Sequence, residues 1–335
     1  MKYVPFGSTG IRVSELCLGT MTFGNEADED ASRAIMDRAL DSGINFFDTA
    51  DVYTHGTTEE IMGRWLVGRR HEVVVASKVH FPTGKGVNER GSSRLHVLQG
   101  VEASLRRLKT DYLDVLYLHH WDEHTPIEQT LAAMNHLVEQ GKVLYCGVSN
   151  FSAWQTMKAI ACARANGFAP IVAAQPMYNL VKRIAEVEIL PLAEEENLAV
   201  CPYSPLAAGL LTGKYHRGER GRISHHPMYR ERYKDGAYME VAGHFVDYAQ
   251  SIGLSPAALA IAWVIAHPTV TSAIIGARNL EQLDASLAGR EIELNEETRS
   301  AISALSIDPP RATDREDPKA LHIPKPGELA GKASK

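Results

Sequence analysis

Short apolar runs recur along this chain, and stretches with helical spacing separate most of them. Eight runs stand out: Glu15–Gly19, Ile44–Phe47, Val73–Ser77, Leu113–Leu118, Val143–Val148, Ile171–Ala174, Leu198–Cys201 and Thr271–Ile275. Each is too short for a stable helix and rich in Val, Ile and Leu, as a strand covered on both faces must be. Helical periodicity covers Ala31–Leu40, Thr58–Leu66, Arg94–Leu108, Ile127–Gln140, Ala153–Ala165, Ala185–Glu196 and Pro256–Ala266. Ser152 stands where it can cap the helix after Phe151, and Ser255 precedes a proline suited to a first helical position. Gly43, Gly141 and Gly167 stand where a helix stops.

Strand and helix alternating eight times predict an α/β fold, a single (β/α)₈ TIM barrel over residues 1–306. The rival is a doubly wound sheet, which carries a glycine-rich phosphate turn after its first strand. Here that place reads Gly19-Thr20-Met21-Thr22-Phe23-Gly24, without the G-x-G-x-x-G spacing. Gly209–Lys214 (GLLTGK) is no P-loop either, because three residues separate its glycines and Tyr215 stands where Ser or Thr is needed. A Gly7–Gly10 turn between two short β-like pieces predicts an N-terminal hairpin closing the bottom of the barrel. Residues 215–236 are polar and rich in Arg and His, which predicts a long loop. Residues 307–335, rich in Pro and Lys, form a C-terminal tail expected to be surface-laid or disordered.

Composition narrows the function. A chain of 335 residues that is 44% hydrophobic can bury its core without disulfides. Its cysteines, Cys17, Cys146, Cys162 and Cys201, form no C-x-x-C pair, and three lie in apolar runs, so they are expected as buried, reduced thiols. The net charge of −6 and the lack of a basic run argue against a nucleic-acid partner. No apolar run reaches membrane-spanning length, and Met1–Thr9 does not resemble a signal peptide. The expectation is a cytoplasmic protein, a monomer or small homo-oligomer, acting on a small molecule.

Barrel active sites lie at the C-terminal ends of the strands. The residues following the eight runs there include Asp48 and Tyr53, Lys78, His119, His120 and Trp121, Ser149 and Asn150, Gln175, then Tyr203 and Ser204. Singly, each has a bland reading: an Asp as a turn former, a Lys as a solvated cation, a His as a core residue. His119, His120 and His124 suggest a metal, but consecutive residues at a strand end point to opposite faces and no second carboxylate completes a set, so no metal is expected. Together, Asp48, Tyr53, Lys78 and His119 make sense as a proton-delivery set. A phenol is a poor acid at pH 7. A nearby ammonium is expected to lower its pKa, a carboxylate keeps that ammonium charged and aimed, and a His orients a carbonyl.

The segments Phe47–Tyr53 (FDTADVY) with Thr58-Glu59-Glu60, then Ser77-Lys78, Asp111–Asp122 (DYLDVLYLHHWD), Gly147–Phe151 (GVSNF), Gln175–Asn179 (QPMYN), Tyr203–Lys214 and Ile275–Leu283 (IGARNLEQL) together resemble the aldo-keto reductase superfamily. The resemblance implies NADPH-dependent, reversible reduction of an aldehyde or ketone on a (β/α)₈ barrel, NADH being the poorer cofactor. It places a catalytic tetrad on Asp48, Tyr53, Lys78 and His119, with Tyr53 as general acid. It places cofactor contacts on Thr20, Met21 and Asp48, the carboxamide grip on Ser149, Asn150 and Gln175, stacking on Tyr203, pyrophosphate contacts on Ser204, Leu206, Gly209 and Lys214, and 2′-phosphate contacts on Gly276, Arg278 and Gln282. Arg278 directly precedes an Asn279–Leu287 helix, and no acidic residue stands at 276–280 to take ribose hydroxyls. His80, His120 and Trp121, with Phe81, Met21 and Tyr178, are candidate substrate-pocket residues. Two departures from the family pattern stand out: Ala285-Ser286 where Glu-Asn often holds adenine, and Thr54-His55-Gly56 where a glycine commonly follows the tyrosine. GLLTGK also resembles the potassium-channel β-subunit branch, so the alternative is a cofactor-sensing regulatory subunit with little turnover.

Overall fold

The computed structural model describes residues 1–313. The expectation for the tail falls mainly beyond residue 313 and there lies outside the described residues. Strands β1 (Tyr3–Pro5) and β2 (Arg12–Ser14) pair antiparallel as the N-terminal hairpin. Eight parallel strands follow: β3 (Leu16–Gly19), β4 (Phe46–Asp48), β5 (Val74–Val79), β6 (Leu113–Leu118), β7 (Val143–Ser149), β8 (Ile171–Gln175), β9 (Ala199–Val200) and β10 (Ala273–Gly276). β3 to β9 pair in sequence order, and β10 returns to pair with β3, Ala273 opposite Leu16. At the other seam Val200 bridges Val270 and the Ile274 N–H donates to the Pro202 carbonyl at 2.9 Å. The ring is a (β/α)₈ barrel.

Alternation along each strand decides what faces the barrel axis. The inward set is Cys17, Phe46, Ala76, Val115, Tyr117, Ala173, Ala199, Cys201 and Ile274, which pack into one cluster with Phe6 of the hairpin. Phe6 meets Phe46 edge to face at 5.6 Å and plugs the lower end. Asp114, second in β6, serves that lower rim by accepting from Arg70 at 2.6 Å and from the Val75 N–H at 2.8 Å.

Helices Glu29–Asp41, Thr57–Leu66, Arg94–Leu108, Ile127–Glu139, Ala153–Asn166 and Pro256–Ile265 cover the outside, close to their expected bounds. Ser152 forms a full capping box with Gln155, and the Ser255 hydroxyl accepts from the Ala258 N–H ahead of Pro256. The expected Ala185–Glu196 helix is broken. A 3₁₀ turn spans Ile184–Glu186 and the α-helix runs Ile189–Glu195. Pro191 has no N–H to give and is tolerated only in a helix's first turn, so the helix cannot run in from Ala185. The 215–236 segment is not a plain loop either, since it carries short helices Arg222–His225 and Pro227–Arg232. Beyond it, helix Gly236–Ser251 buries Val241, Phe245 and Ala249 at four-residue spacing, capped by Asp235. All four cysteines are free, and Cys17, Cys146 and Cys201 are buried. Among the described residues no single helix is long and apolar enough to cross a membrane.

Candidate active site

Two residues above each inward core position, the same parity delivers a polar ring. Phe46 leads to Asp48, Ala76 to Lys78, Tyr117 to His119, Ala173 to Gln175, and Cys201 to Tyr203. His119 therefore faces the axis, and His120, one residue on, is exposed. Lys78 lies within β5 rather than after it, because the strand runs on to Val79.

The ring is bonded into one unit. The Lys78 ammonium donates to Asp48 Oδ1, to the Thr49 carbonyl at 2.7 Å and to the Tyr53 hydroxyl at 3.4 Å. The Gln175 amide donates to Asp48 Oδ2 at 2.8 Å. Asn150 donates to the His119 carbonyl at 2.9 Å and accepts from the Tyr203 hydroxyl at 2.6 Å. Burial works against the charge on Lys78, but Asp48 and Tyr53 outweigh it and hold the ammonium above its ordinary pKa. Burial raises the Tyr53 phenol above its ordinary value. Lys78 pulls it down and Asp48 offsets that pull, so the expected depression is not the net outcome. Tyr53 stays protonated at neutral pH. His119 is driven well below its ordinary value by burial and by the Lys78 charge, so its ring is neutral, and its buried Nδ1 has no partner among the described residues. The rings of Tyr53 and His119 meet edge to face at 6.0 Å.

Above this ring lies a cavity of about 1300 Å³. Tyr53, Asp48 and His119 line one end. Thr20, Met21, Ser149, Asn150, Gln175, Tyr203, Ser204, Leu206, Gly209, Lys214, Gly276, Arg278 and Gln282 all line it as well. Lys78 sits beneath the floor, reaching the cavity only through Asp48 and Tyr53. Ser204, Ala207, Ala208 and Gly209 all take positive φ. This left-handed run turns the chain sharply along the wall, and a Cβ on Gly209 would press on Lys214 at 2.5 Å. Lys214 is lowered by burial and then by the Arg278 and Arg222 charges, with Glu26 and Glu219 pulling the other way. Arg278 precedes Asn279, which caps helix Leu280–Leu287. Glu281, just past the 276–280 window, lines the cavity too, and so do Ala285 and Ser286.

Thr54 and His55 follow Tyr53 at φ 46° and 53°. A β-branched residue in this region is strained, and the Thr54 hydroxyl holds its place by donating to the Phe23 carbonyl at 3.0 Å. The substrate-pocket candidates divide. Met21, Phe81 and His120 line the cavity, but His80, Trp121 and Tyr178 do not. His80 stands behind His120 with its Nδ1 3.0 Å from the Ser92 hydroxyl. Trp121 is drawn aside by Phe151 and Trp154, and Tyr178 is buried against Trp263. Sequence reasoning missed His226, Met228, Tyr229 and Arg232, which the 215–236 segment brings to the cavity, and the Glu26–Arg222 ion pair at 3.0 Å across its mouth. The signal was His226-Pro227, a proline poised to start a helix, with Tyr229 and Tyr233 four apart behind it. Asp51, inside the FDTADVY segment, is buried, and neither carboxylate oxygen has a hydrogen-bond partner among the described residues. Burial, then the Glu59 charge, pushes its pKa up to about 8.

A groove lined by a run of left-handed backbone, by Lys214 and Arg278 without an ion pair among the described residues, and by the Asn150 and Gln175 amides fits a nicotinamide dinucleotide. The model of the Aldo/keto reductase family matches residues 15–307. The chain is 40% identical to the uncharacterized oxidoreductase YrpG of Bacillus subtilis (strain 168), covering 89% of this chain and 93% of that one. It is 40% identical to a probable voltage-gated potassium channel subunit beta of Arabidopsis thaliana, over 87% of this chain and 92% of that one. A counterpart of the same name from Oryza sativa subsp. japonica is 38% identical, over 94% and 99%.

Proposed function

Since the chain belongs to the aldo/keto reductase family, we propose that it reduces an aldehyde or ketone to the alcohol, reversibly and with NADPH, using Tyr53 as general acid. Bound nicotinamide would supply the hydride. The chain's own residues handle the proton and the placement of the carbonyl. The neutral His119 ring points the carbonyl oxygen at the Tyr53 hydroxyl, which donates its proton as charge develops on that oxygen. Lys78, locked by Asp48, stabilises the phenolate left behind. Asn150, Ser149 and Gln175 would hold the carboxamide, and Tyr203 the ring face. Lys214 would lie along the pyrophosphate, and Arg278 would hold the 2′-phosphate by a paired, charge-assisted contact.

The observation that carries this reading is the Tyr53 hydroxyl, 3.4 Å from an ammonium sealed against a carboxylate beneath a cavity of about 1300 Å³. The test is NADPH oxidation with a panel of aldehydes and ketones. Tyr53→Phe is expected to lower kcat by about 10²–10⁴-fold while NADPH binding, read by fluorescence titration, persists. A variant keeping more than half the wild-type kcat overturns the assignment. A second reading, a cofactor-sensing regulatory subunit, is favoured by the two relatives named as channel β subunits. NADPH binding without turnover of any carbonyl across the panel would select it.

A further inference from the structure

Of the four carboxylates lining the cavity, Asp48 is taken by Lys78, Glu26 by Arg222 and Glu219 by Arg217, while Glu281 stands on the Leu280–Leu287 helix just past Arg278. Arg232 also lines the cavity, half-buried, and has no carboxylate or hydrogen-bond acceptor among the described residues. Its sequence neighbour Glu231 turns the other way and pairs with Lys234. The placement of Arg232 is built, not incidental. Pro227 starts the short helix, and Tyr229 and Tyr233, four residues apart, are both buried and fix its rotation. Arg232, three residues past Tyr229, lies over that ring at 5.4 Å. The Tyr229 hydroxyl reaches the Met21 sulfur at 3.7 Å, so the helix spans the mouth above the reacting end. The Arg232 charge acts on Tyr203, whose hydroxyl binds Asn150, which in turn holds His119. Arg278 and Arg222 are among the charges that act on Lys214, and Arg232 is not.

We propose that Arg232 recognises an anionic group on the substrate, so that the carbonyl compound reduced here is acidic. A half-buried guanidinium without a counter-ion is costly, and a substrate carboxylate completes it with a paired, charge-assisted contact. The hydrocarbon part of such a substrate then lies against Phe81, Met228 and Tyr229. This inference rests on the reductase reading and narrows its substrate class.

The test compares succinic semialdehyde with butanal, molecules alike in chain length and unlike in charge, on wild type, Arg232→Gln and Arg232→Lys. Wild type is expected to favour the acid in kcat/KM. Arg232→Gln is expected to lower the acid-to-neutral ratio about tenfold to a hundredfold, chiefly through KM, and Arg232→Lys to restore part of it. Succinate binding to the NADP complex, followed by calorimetry, is expected to weaken by a like factor. An unchanged ratio, a wild type that prefers butanal, or an equal loss of NADPH affinity in Arg232→Gln, which would seat the guanidinium on the cofactor, overturns the proposal. Turnover of butanal by wild type keeps the reductase reading standing in each of those cases. No turnover of either aldehyde overturns that reading and this inference with it.

Discussion

Replacing Lys78 by Met removes one half of an ion pair that water does not reach. The Lys78 side chain is 1% exposed and that of Asp48 is 4% exposed. In the variant Asp48 Oδ2 keeps the Gln175 amide, but Oδ1 loses its ammonium, and the Thr49 carbonyl loses a donor at 2.7 Å. Breaking a buried pair from one side costs about 3–5 kcal/mol, a large share of a total stability of about 5–15 kcal/mol. Removing both charges together, in Asp48→Asn/Lys78→Met, leaves no uncompensated charge and is expected to return the chain to within about 1–2 kcal/mol of wild type. Urea unfolding followed by circular dichroism at pH 7 gives both numbers from midpoint and slope. Rates measured on the same samples should not recover, because both variants lack the cation beside the Tyr53 hydroxyl. Stability and turnover then part company. A single variant that loses under about 1 kcal/mol, or a double variant no firmer than the single one, refutes the view that this pair is desolvated and mutually dependent.

Three further outcomes follow from the geometry. Arg278→Ala is expected to raise the KM for NADPH about tenfold or more and to leave the KM for NADH nearly in place; equal loss for both would remove Arg278 from the phosphate. Asp51 holds its proton to about pH 8 in the fold against an ordinary value of 3.8. The folded state therefore binds the extra proton, and stability falls as pH rises through that window, by up to about 1.4 kcal/mol per unit. Asp51→Asn should remove that slope, so the variant's advantage in urea midpoint grows from pH 5 to pH 8 and then levels; a constant difference between the two proteins would refute it. The Tyr53 phenol sits above its ordinary value, so kcat for reduction should hold steady through neutral pH and fall only on the alkaline side, and a decline setting in near pH 7 would show that another group donates the proton.

Much of the barrel could be read from the chain because its strands are buried on both faces and so appear as compact apolar runs. The same logic reached Asp48, Lys78, His119 and Gln175, since a polar residue just past such a run has nowhere to go but the rim. It erred by a residue or two at strand ends, placing Lys78 beyond β5, because a buried lysine paired with Asp48 lets the strand continue where a solvated one would end it. The 215–236 segment was illegible for a different reason. Pro227–Arg232 is short, polar outside, and held by two tyrosines whose partners lie far away in sequence. Trp121 and Tyr178 show the converse error: aromatic residues near a rim were expected in the pocket, but Phe151 with Trp154 and Trp263 claim them first. The sign at Tyr53 depended on how deeply its ring is buried, a quantity that residue types alone do not carry.

The seam between β3 and β10 bears on how the chain is made. The Ser272 hydroxyl donates to the Ser14 carbonyl across 258 positions, and the Ala273 N–H donates to the Glu15 carbonyl beside it. At roughly 5–20 residues per second on the ribosome, about 13–50 s separate the emergence of the two sides. For that whole interval β3 offers bare amides and carbonyls along one flank, a template that a neighbouring nascent chain could copy. The finished ring has no such flank. Aggregation is thus a hazard of the unfinished polypeptide, relieved at a single late moment when the eighth parallel strand arrives.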